Sequence, residues 1–116
     1  MAQLFEKYVR KDYEDYEDFY KNYKLNVPEN FNFAYDCMDV LAEKSPDKLA
    51  MRWTNVAGDK RDFTFAEMKY YSDKTANYLK SLGIKKGDAV MLILKRHYEY
   101  WWTILALHKL GAITIP

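Results

Sequence analysis

The spacing of hydrophobic residues predicts one long helix at the start of the chain. Over residues 4–23 the large apolar side chains recur at steps of three and four, so they share one helical face. The opposite face carries both acids and bases, which favours packing on a parent domain or a neighbouring subunit, because a lipid surface would favour a more basic face. Pro28 and the asparagines near it then break the pattern. We therefore place a domain boundary here, with residues 1–26 as a tyrosine-rich helical extension.

The middle of the chain predicts a short helix followed by a β-hairpin. Asn32 is a candidate N-cap for a helix over residues 33–44, which a Ser-Pro pair ends. The side chains expected to face inward on this helix are Phe33, Cys37, Val40 and Leu41. Residues 48–54 and 61–65 then predict two short strands, because they flank a loop that contains Gly58.

A capping signal predicts a third helix. Thr64 and Glu67 have the spacing of a capping box, in which each side chain can bond the other residue's backbone N–H group. Gly83 supplies a left-handed stop at the far end. The positions that keep helical spacing between these signals are Phe65, Met68, Ser72, Thr75, Ala76, Leu79 and Leu82.

Two apolar runs around a helical segment predict a βαβ unit. Residues 89–94 form a continuous apolar run, which is typical of a parallel strand covered on both faces. Residues 98–110 are apolar nearly all round and predict a buried helix that Gly111 ends, and residues 112–115 predict a second strand. The connection is expected to be right-handed. Because the chain ends on this strand, we expect an incomplete sheet, as in a truncated α/β domain.

Composition narrows the class of protein. The 116 residues amount to one ordinary domain at most, and Lys+Arg 18 against Asp+Glu 17 leaves a net charge of +1, which argues against a nucleic-acid partner. One cysteine excludes an internal disulfide framework and fits a reducing compartment, so a cytoplasmic protein is expected. Because the first residues mix acids with bases and lead into no apolar segment, no signal or transit peptide is expected. The longest apolar run has six residues, far short of the roughly 20 that span a bilayer, so no membrane span is expected.

The sequence contains no glycine-rich motif of the kind that binds phosphate. Each of the four glycines stands singly at a turn or a helix end, so both common nucleotide-binding patterns are absent. Lys85 and Lys86 precede a turn and are interpreted as a solvated corner.

The other polar candidates each have a structural explanation. His97 lies between a strand end and a helix start, where loops of open α/β sheets meet ligands, but it has no Ser, Cys or Asp neighbour at motif spacing. Segment 95–97 could face an anion, although a polar connecting loop is the commoner reason for such a segment. His108 and Lys109 suit the last turn of a helix, and Cys37 is interpreted as a packing residue.

Three segments resemble family motifs that occur in the same order. Residues 63–68 resemble the motif Leu-[Thr/Ser]-Tyr-x-Glu-Leu, and residues 82–90 are similar to Leu-Gly-[Ile/Val]-x-x-Gly-Asp-x-Val. Residues 107–116 resemble Leu-Lys-x-Gly-Ala-x-x-x-Pro. These are motifs of the AMP-forming acyl-CoA synthetase, adenylation-domain and luciferase superfamily. Residues 28–33 and 95–101 look most like short- and medium-chain fatty acyl-CoA synthetases.

The resemblance implies an α/β fold and the chemistry of an acid–thiol ligase. Such enzymes join a carboxylic (fatty) acid to ATP with loss of pyrophosphate, assisted by Mg²⁺, and pass the acyl group from acyl-AMP to coenzyme A. The family's phosphate loop, aromatic-Thr-Glu motif, ribose-binding Asp and C-terminal lysine all lie downstream of the second core motif. No catalytic, cofactor-binding or metal-binding residue is therefore expected here. Residues 27–116 are expected to form the truncated N-terminal portion of the AMP-binding large domain, acting as scaffold and inactive alone.

Two other classes of function stay open at this point. A free-standing interaction module would use the tyrosine-rich helix and the helix containing Trp101 and Trp102 as its interface, and a natural stop codon after Pro116 would identify it. Nucleic-acid binding through aromatic and basic residues is weak, because no basic face emerges. The uncovered sheet is also expected to self-associate unless a partner covers it.

Overall fold

The computed structural model of the protein describes residues 4–116, which divide into two compact units. The first unit, Met1–Phe31, contains a 3₁₀ turn at Leu4–Lys7 and helix α1 at Tyr16–Asn22. An isolated antiparallel bridge joins Val9 to Leu25. Residues 1–3, which belong to the predicted extension and to the segment predicted to lack a targeting signal, lie outside the described residues.

The expectation of one continuous helix over residues 4–23 is wrong, because side chains bind the backbone where that helix would run. The Asp15 carboxylate caps α1 by accepting from the Asp18 N–H group at 2.8 Å. The Asp18 carboxylate accepts from the Glu14 N–H group at 3.0 Å and pairs with Arg10 at 2.9 Å. Asp side chains that bond nearby backbone groups compete with a continuing helix. The spacing of apolar residues gives no information about these side-chain hydrogen bonds, so it could not predict where the helix is interrupted.

The second unit, Asn32–Pro116, begins with a helix whose first part is π-helical. The π turn covers Ala34–Asp39 and continues as α2, Val40–Lys44. The Asn32 side-chain oxygen accepts from the Ala34 N–H group at 3.0 Å, so the residue predicted as the N-cap does bind the start of this helix.

The inward face of this first helix differs from the predicted one. Phe33 is exposed, and the predicted inward residues Cys37, Val40 and Leu41 are only half-buried. The buried positions are instead Ala34, Asp39 and Ala42. A π turn holds more residues than an α turn, so it rotates the following side chains away from the period that the prediction assumed.

The predicted hairpin and third helix are both present. Strands β1, Leu49–Thr54, and β2, Lys60–Thr64, pair in antiparallel fashion. Helix α3, Phe65–Ser81, begins with the predicted capping box: the Thr64 hydroxyl accepts from the Glu67 N–H group at 3.2 Å, and the Glu67 carboxylate accepts from the Thr64 N–H group at 2.8 Å.

Loss of the Thr64 hydroxyl should lower stability measurably. We expect Thr64→Ala to reduce the free energy of unfolding by about 1 kcal/mol, since an orphan N–H group of the first turn loses its acceptor. Thr54→Ala, at the exposed end of β1, is the matched control and should change it little. Urea denaturation of both variants measures the difference, and equal effects would show that the box adds nothing.

The predicted strand–helix–strand unit closes the chain. Strand β3, Ala89–Met91, lies parallel to β4, Ile113–Ile115, and α4, Glu99–Leu110, connects them. The ladder extends slightly further, because the Leu92 N–H group donates to the Ile115 carbonyl at 2.9 Å. The apolar side chains that stay exposed on these strands and just after β3 are Met91, Ile93, Ile113 and Ile115. This chain alone therefore does not cover both faces of the sheet, as expected for a truncated α/β domain.

The core of the second unit is aromatic and lies where α3 packs on α4. Phe63 is fully buried, and its ring contacts Trp102 and Tyr98 at centroid distances of 5.5 and 5.2 Å. Tyr71 stacks on Trp102 at 4.7 Å. Among the described residues, no helix is long and apolar enough to cross a membrane.

Candidate functional site

An open cavity of about 920 Å³ lies beyond the carboxyl end of β3. Its walls are Trp53 and Asn55 from the end of the hairpin strand and residues 95–99 from the connection to α4. Ligands of open α/β sheets bind outside the carboxyl ends of the strands. We call this cavity the β3 cavity.

Hydrogen bonds and ring contacts fix the aromatic wall of the β3 cavity. The Trp53 indole N–H donates to the Arg96 carbonyl oxygen at 2.7 Å, which ties β1 to the connection. Tyr98 meets the Trp53 ring edge to face at 5.2 Å. The Arg61 guanidinium lies over the Tyr98 ring at 5.0 Å and donates to its hydroxyl at 2.9 Å. The two rings are therefore held in place from both sides.

The connection carries a strained backbone position. Lys95 has a φ of 44°, in the left-handed region that non-glycine residues adopt rarely. Such a conformation costs free energy and persists only where the surrounding structure imposes it, and such positions cluster at ligand sites. The hydrogen bond from the Trp53 indole to the carbonyl oxygen of Arg96, the residue after Lys95, is one such restraint.

Unpaired charges surround the β3 cavity. Within residues 4–116, the exposed side chains of Lys95, Arg96 and His97 form no hydrogen bond or ion pair. The Glu99 Oε2 atom is shielded from solvent and also lacks a hydrogen-bond partner in this part of the chain. A carboxylate oxygen withdrawn from water without a donor is energetically unfavourable.

The structure places the polar candidates of the sequence at different sites. His97 and its neighbours line the β3 cavity, whereas Trp53, which completes the wall, lies 43 positions away from Arg96 and carries no local signal. His108 lies near the opposite end of α4, and its Nδ1 atom is shielded and has no partner within the described range. Cys37 is half-buried in the π turn, and its interpretation as a packing residue stays a prediction.

A lysine-lined cleft of about 700 Å³ lies at the other end of the unit. Lys80, Lys85 and Lys86 line it, close to the carboxyl ends of α3 and α4. Helix carboxyl ends carry partial negative charge, which attracts lysines and repels anions. This placement supports the interpretation of these lysines as a solvated corner.

Four charged residues form a second polar cluster, which we call the ion cluster. Lys109 Nζ contacts Asp39 Oδ1 at 2.8 Å and Asp73 Oδ1 at 2.6 Å, and only 2% of the Lys109 side chain is exposed. Lys69 Nζ contacts the same two carboxylates at 3.0 and 3.3 Å. The cluster joins the π turn, α3 and α4, so Lys109 holds three helices together besides lying in the last turn of its own.

The ion cluster should make the stability of the chain acid-sensitive. Burial raises the pKa of Asp73, but the hydrogen bond and charge of Lys109, followed by those of Lys69, outweigh it and hold this pKa below the ordinary value of 3.8. A carboxyl group with a lowered pKa stabilises the folded chain above its unfolded pKa, and this contribution is lost as the pH falls through the folded value. We therefore expect the free energy of unfolding to decrease as the pH is lowered below about 4.

Substitution of Asp73 tests this origin of the acid sensitivity. Asp73→Asn should flatten the fall of unfolding free energy between about pH 4 and pH 2, measured by urea denaturation across that range. Asp62→Asn, in an exposed pair with Arg52, should flatten it less because solvent screens that pair. A steeper or unchanged slope in Asp73→Asn would contradict the assignment.

The residues 4–116 offer no set of ligands for a metal ion: no group of three or more His, Cys, Asp or Glu side chains is arranged to hold one. The donors of the ion cluster are already engaged with lysines. Mg²⁺ does not fit this part of the chain, and no reaction step is assigned to it here.

Comparison with known proteins identifies the family. Residues 38–116 match the model of the AMP-binding enzyme family. The chain belongs to this family. Its membership confirms the resemblance that the three motifs indicated.

The relatives in this family are acyl-CoA synthetases. Acyl-coenzyme A synthetase ACSM5, mitochondrial, of Rattus norvegicus is 42% identical over 99 residues, which cover 80% of this chain and 17% of the relative. Acyl-coenzyme A synthetase ACSM3, mitochondrial, of Homo sapiens is 34% identical over 112 residues, covering 91% of this chain and 19% of the relative. The chain thus spans about a fifth of the length of these curated relatives.

Solved structures confirm the predicted fold class. The acyl-CoA synthetase of Brucella canis superposes with a TM-score of 0.68 at 28% identity, over 77% of this chain and 16% of that protein. The helices, hairpin and incomplete sheet match the N-terminal part of adenylate-forming ligases. The chain is therefore the first part of an α/β ligase domain in its fold.

Proposed function

We propose that this chain is the N-terminal segment of an AMP-forming acyl-CoA synthetase. The observation that carries the proposal is the family match over residues 38–116, together with 42% identity to a named acyl-CoA synthetase. The longer protein would convert a carboxylic (fatty) acid, ATP and coenzyme A into acyl-CoA, AMP and pyrophosphate through an acyl-adenylate. Short- and medium-chain fatty acids are the substrate class that the sequence resemblance favours.

The chain itself would supply scaffold. Residues 27–116 would form the first portion of the AMP-binding large domain, and residues 1–26 an extension of it. The motif residues in this portion act on the backbone: Thr64 and Glu67 cap α3, and Gly111 ends α4 in a left-handed conformation with φ of 69°. No catalytic residue is assigned within the chain.

ATP, Mg²⁺ and coenzyme A would be bound by the longer protein. Mg²⁺ would neutralise charge on the ATP phosphates during adenylation. The described residues present neither a glycine-rich phosphate loop nor a magnesium ligand set, which supports assigning that chemistry to the rest of the protein.

The compartment is a separate part of the proposal. The lone cysteine favours a reducing compartment and the cytoplasm, whereas the curated relatives above are named mitochondrial. Imaging of the longer protein with a C-terminal fluorescent tag distinguishes the two. Diffuse fluorescence supports the cytoplasm, and overlap with a mitochondrial marker overturns it.

Carboxylate-dependent exchange between ATP and pyrophosphate tests the proposed activity. We expect the longer protein that contains this chain to catalyse exchange with a short- or medium-chain fatty acid, and the 116-residue chain to show none. Exchange by the 116-residue chain would overturn its role as scaffold. An inactive longer protein across a panel of carboxylic acids would overturn the synthetase assignment and favour an interaction module.

The chain in isolation should self-associate. Ile93, 79% exposed beyond β3, and the exposed Ile113 and Ile115 leave apolar surface on a two-stranded sheet. We expect the weight-average mass in sedimentation equilibrium to rise with concentration, and Ile93→Lys to reduce that rise. Val56→Lys, in the exposed hairpin loop, is the matched control. A monomer at every concentration would contradict the prediction.

A further inference from the structure

We propose that one face of α1 is an interface on which a second copy of this chain docks, with the two helices antiparallel. The face consists of Tyr16, Tyr20 and the C-cap residue Tyr23, and we call it the tyrosine stripe. The inference goes beyond the proposed function, in which residues 1–26 are only an extension of the ligase domain. It stands on the exposure of the three rings and on the order of charges along the same segment.

The tyrosine stripe is a continuous aromatic surface. Steps of four and three residues place Tyr16, Tyr20 and Tyr23 on one side of the helix. Tyr16 and Tyr20 are 70% and 73% exposed, and their rings stack on each other at a centroid distance of 6.0 Å. Tyrosine is enriched at protein interfaces because its ring supplies apolar contact area and its hydroxyl group stays able to bond. The stripe therefore has the composition of an interface.

Contacts within the first unit hold the helix that carries the stripe. The Asp15 carboxylate caps α1, and Arg10 pairs with Asp18 at 2.9 Å. The Phe19 ring lies 5.1 Å from the Tyr23 ring and supports it from within the same chain. A surface that is already ordered costs little conformational entropy when a partner binds.

The charges of this segment change sign along the chain. Residues 12–18 include five carboxylates, and the next two charged residues are Lys21 and Lys24. An antiparallel copy would place the lysines of each helix beside the carboxylates of the other, so that unlike charges meet twice about one two-fold axis. A parallel copy would bring like charges together. A partner with only one sign of charge would match only half of the segment, so the charge order favours a second copy of the chain.

The antiparallel arrangement also pairs the rings. With Tyr20 next to the two-fold axis, it meets Tyr20 of the second copy, and Tyr16 meets Tyr23 of that copy. Glu17 then lies beside Lys21 of the second copy. Within one chain these two residues form an ion pair of 3.8 Å in which both side chains are 69% exposed. Such an exposed pair contributes little to stability, so exchanging it for contacts with the second copy costs little.

The helix dipole gives a second reason for this order of charges, because it favours acids at the start of a helix and lysines at its end. That explanation concerns a single helix and does not require three exposed rings on one face. A second copy accounts for both the rings and the charges. Because α1 has only about two turns, the interface is small, and we expect a reversible dimer that forms as the concentration rises.

Charge reversal on α1 is the first experiment. Every protein in it is the 116-residue chain with Ile93→Lys, which reduces association through the exposed sheet. Adding Glu17→Lys or Lys21→Glu should raise the dissociation constant of the dimer about three- to tenfold in sedimentation equilibrium, because two symmetry-related contacts become repulsive. An equimolar mixture of the two variants should associate as strongly as the parent protein, since each variant supplies the charge that the other has lost.

The mixture separates an interface from an effect within one helix. Both variants lose the ion pair of their own α1, and mixing cannot restore it, so recovery in the mixture has to come from contacts between chains. Glu43→Lys and Lys44→Glu, at exposed positions of α2, make the same charge changes and form the matched control. Equal recovery in the control mixture would reduce the effect to general attraction and overturn the interface. An absence of recovery in the α1 mixture would overturn the antiparallel arrangement.

Removal of one ring tests the tyrosine stripe itself. Tyr20→Ser should raise the dissociation constant at least about tenfold, because the residue lies next to the two-fold axis and the substitution removes a ring from each copy. Tyr78→Ser is the matched control, since Tyr78 is 62% exposed on α3, in the other unit. Equal effects of the two substitutions would show that any exposed ring contributes in the same way, and would overturn the stripe as the interface.

The interface and the proposed function fail separately. Association is measured on this chain without substrates, whereas exchange between ATP and pyrophosphate is measured on the longer protein. A chain with Ile93→Lys that stays monomeric at every concentration would overturn the interface and leave the synthetase assignment standing. A dimer with the expected charge dependence would support the interface even if the longer protein activated no carboxylic acid.

Discussion

Replacing Phe63 by alanine should lower the free energy of unfolding by about 3–5 kcal/mol, among the largest effects expected for any single substitution in this chain. The side chain is fully buried at the end of β2. Its ring contacts Tyr98, Trp102 and Tyr71 at centroid distances of 5.2, 5.5 and 6.4 Å. Alanine would leave a cavity among three rings that cannot close over it without losing their own contacts.

Phe33→Ala is the matched control for this prediction. It removes the same side chain from an exposed position at the start of the second unit. Urea denaturation followed by tryptophan fluorescence compares the two variants, and Phe63→Leu, which refills part of the space, should lie between them. Equal loss of stability in Phe63→Ala and Phe33→Ala would mean that the aromatic cluster is not the core of the unit.

The second half of the chain could be predicted from its sequence because its signals are local. The capping box at Thr64 specifies the start of α3 by contacts within four residues. The left-handed glycines at positions 83 and 111 end the two long helices with φ of 93° and 69°. The capping residues and the hydrophobic pattern indicate the same helices and strands in this region, so each signal supports the other.

The first third could not be predicted equally well because its chemistry opposes its pattern. The apolar spacing over residues 4–23 suits a helix, but Asp15 and Asp18 bind backbone N–H groups and restrict the helix to α1. In the next helix, the π turn moves Asp39 to a buried position that an α-helical period does not give it. Neither effect changes the hydrophobic pattern, so the pattern could not reveal it.

The candidate site could be predicted only in part. Segment 95–97 carries its own signal, a run of cations after a strand. Trp53 contacts this segment through a hydrogen bond to the Arg96 carbonyl oxygen, 43 positions away in the sequence. A single sequence contains no pattern that predicts a contact between residues so far apart. The ion cluster is hidden for the same reason, since Lys109 and Asp39 are 70 positions apart.

Replacing Lys109 by methionine should lower the free energy of unfolding by about 3 kcal/mol, because it leaves a buried carboxylate short of its partner. Asp39, whose side chain is 8% exposed, would then share Lys69 with Asp73. Methionine keeps the packing of the lysine's aliphatic chain, so the loss of stability measures the effect of removing the charge. Arg52→Met, in the exposed pair with Asp62, is the control and should have no measurable effect. Combining Lys109→Met with Asp39→Leu removes the stranded charge and should recover most of the stability. Failure of that recovery in urea denaturation would show that the ion cluster acts through shape and not through charge.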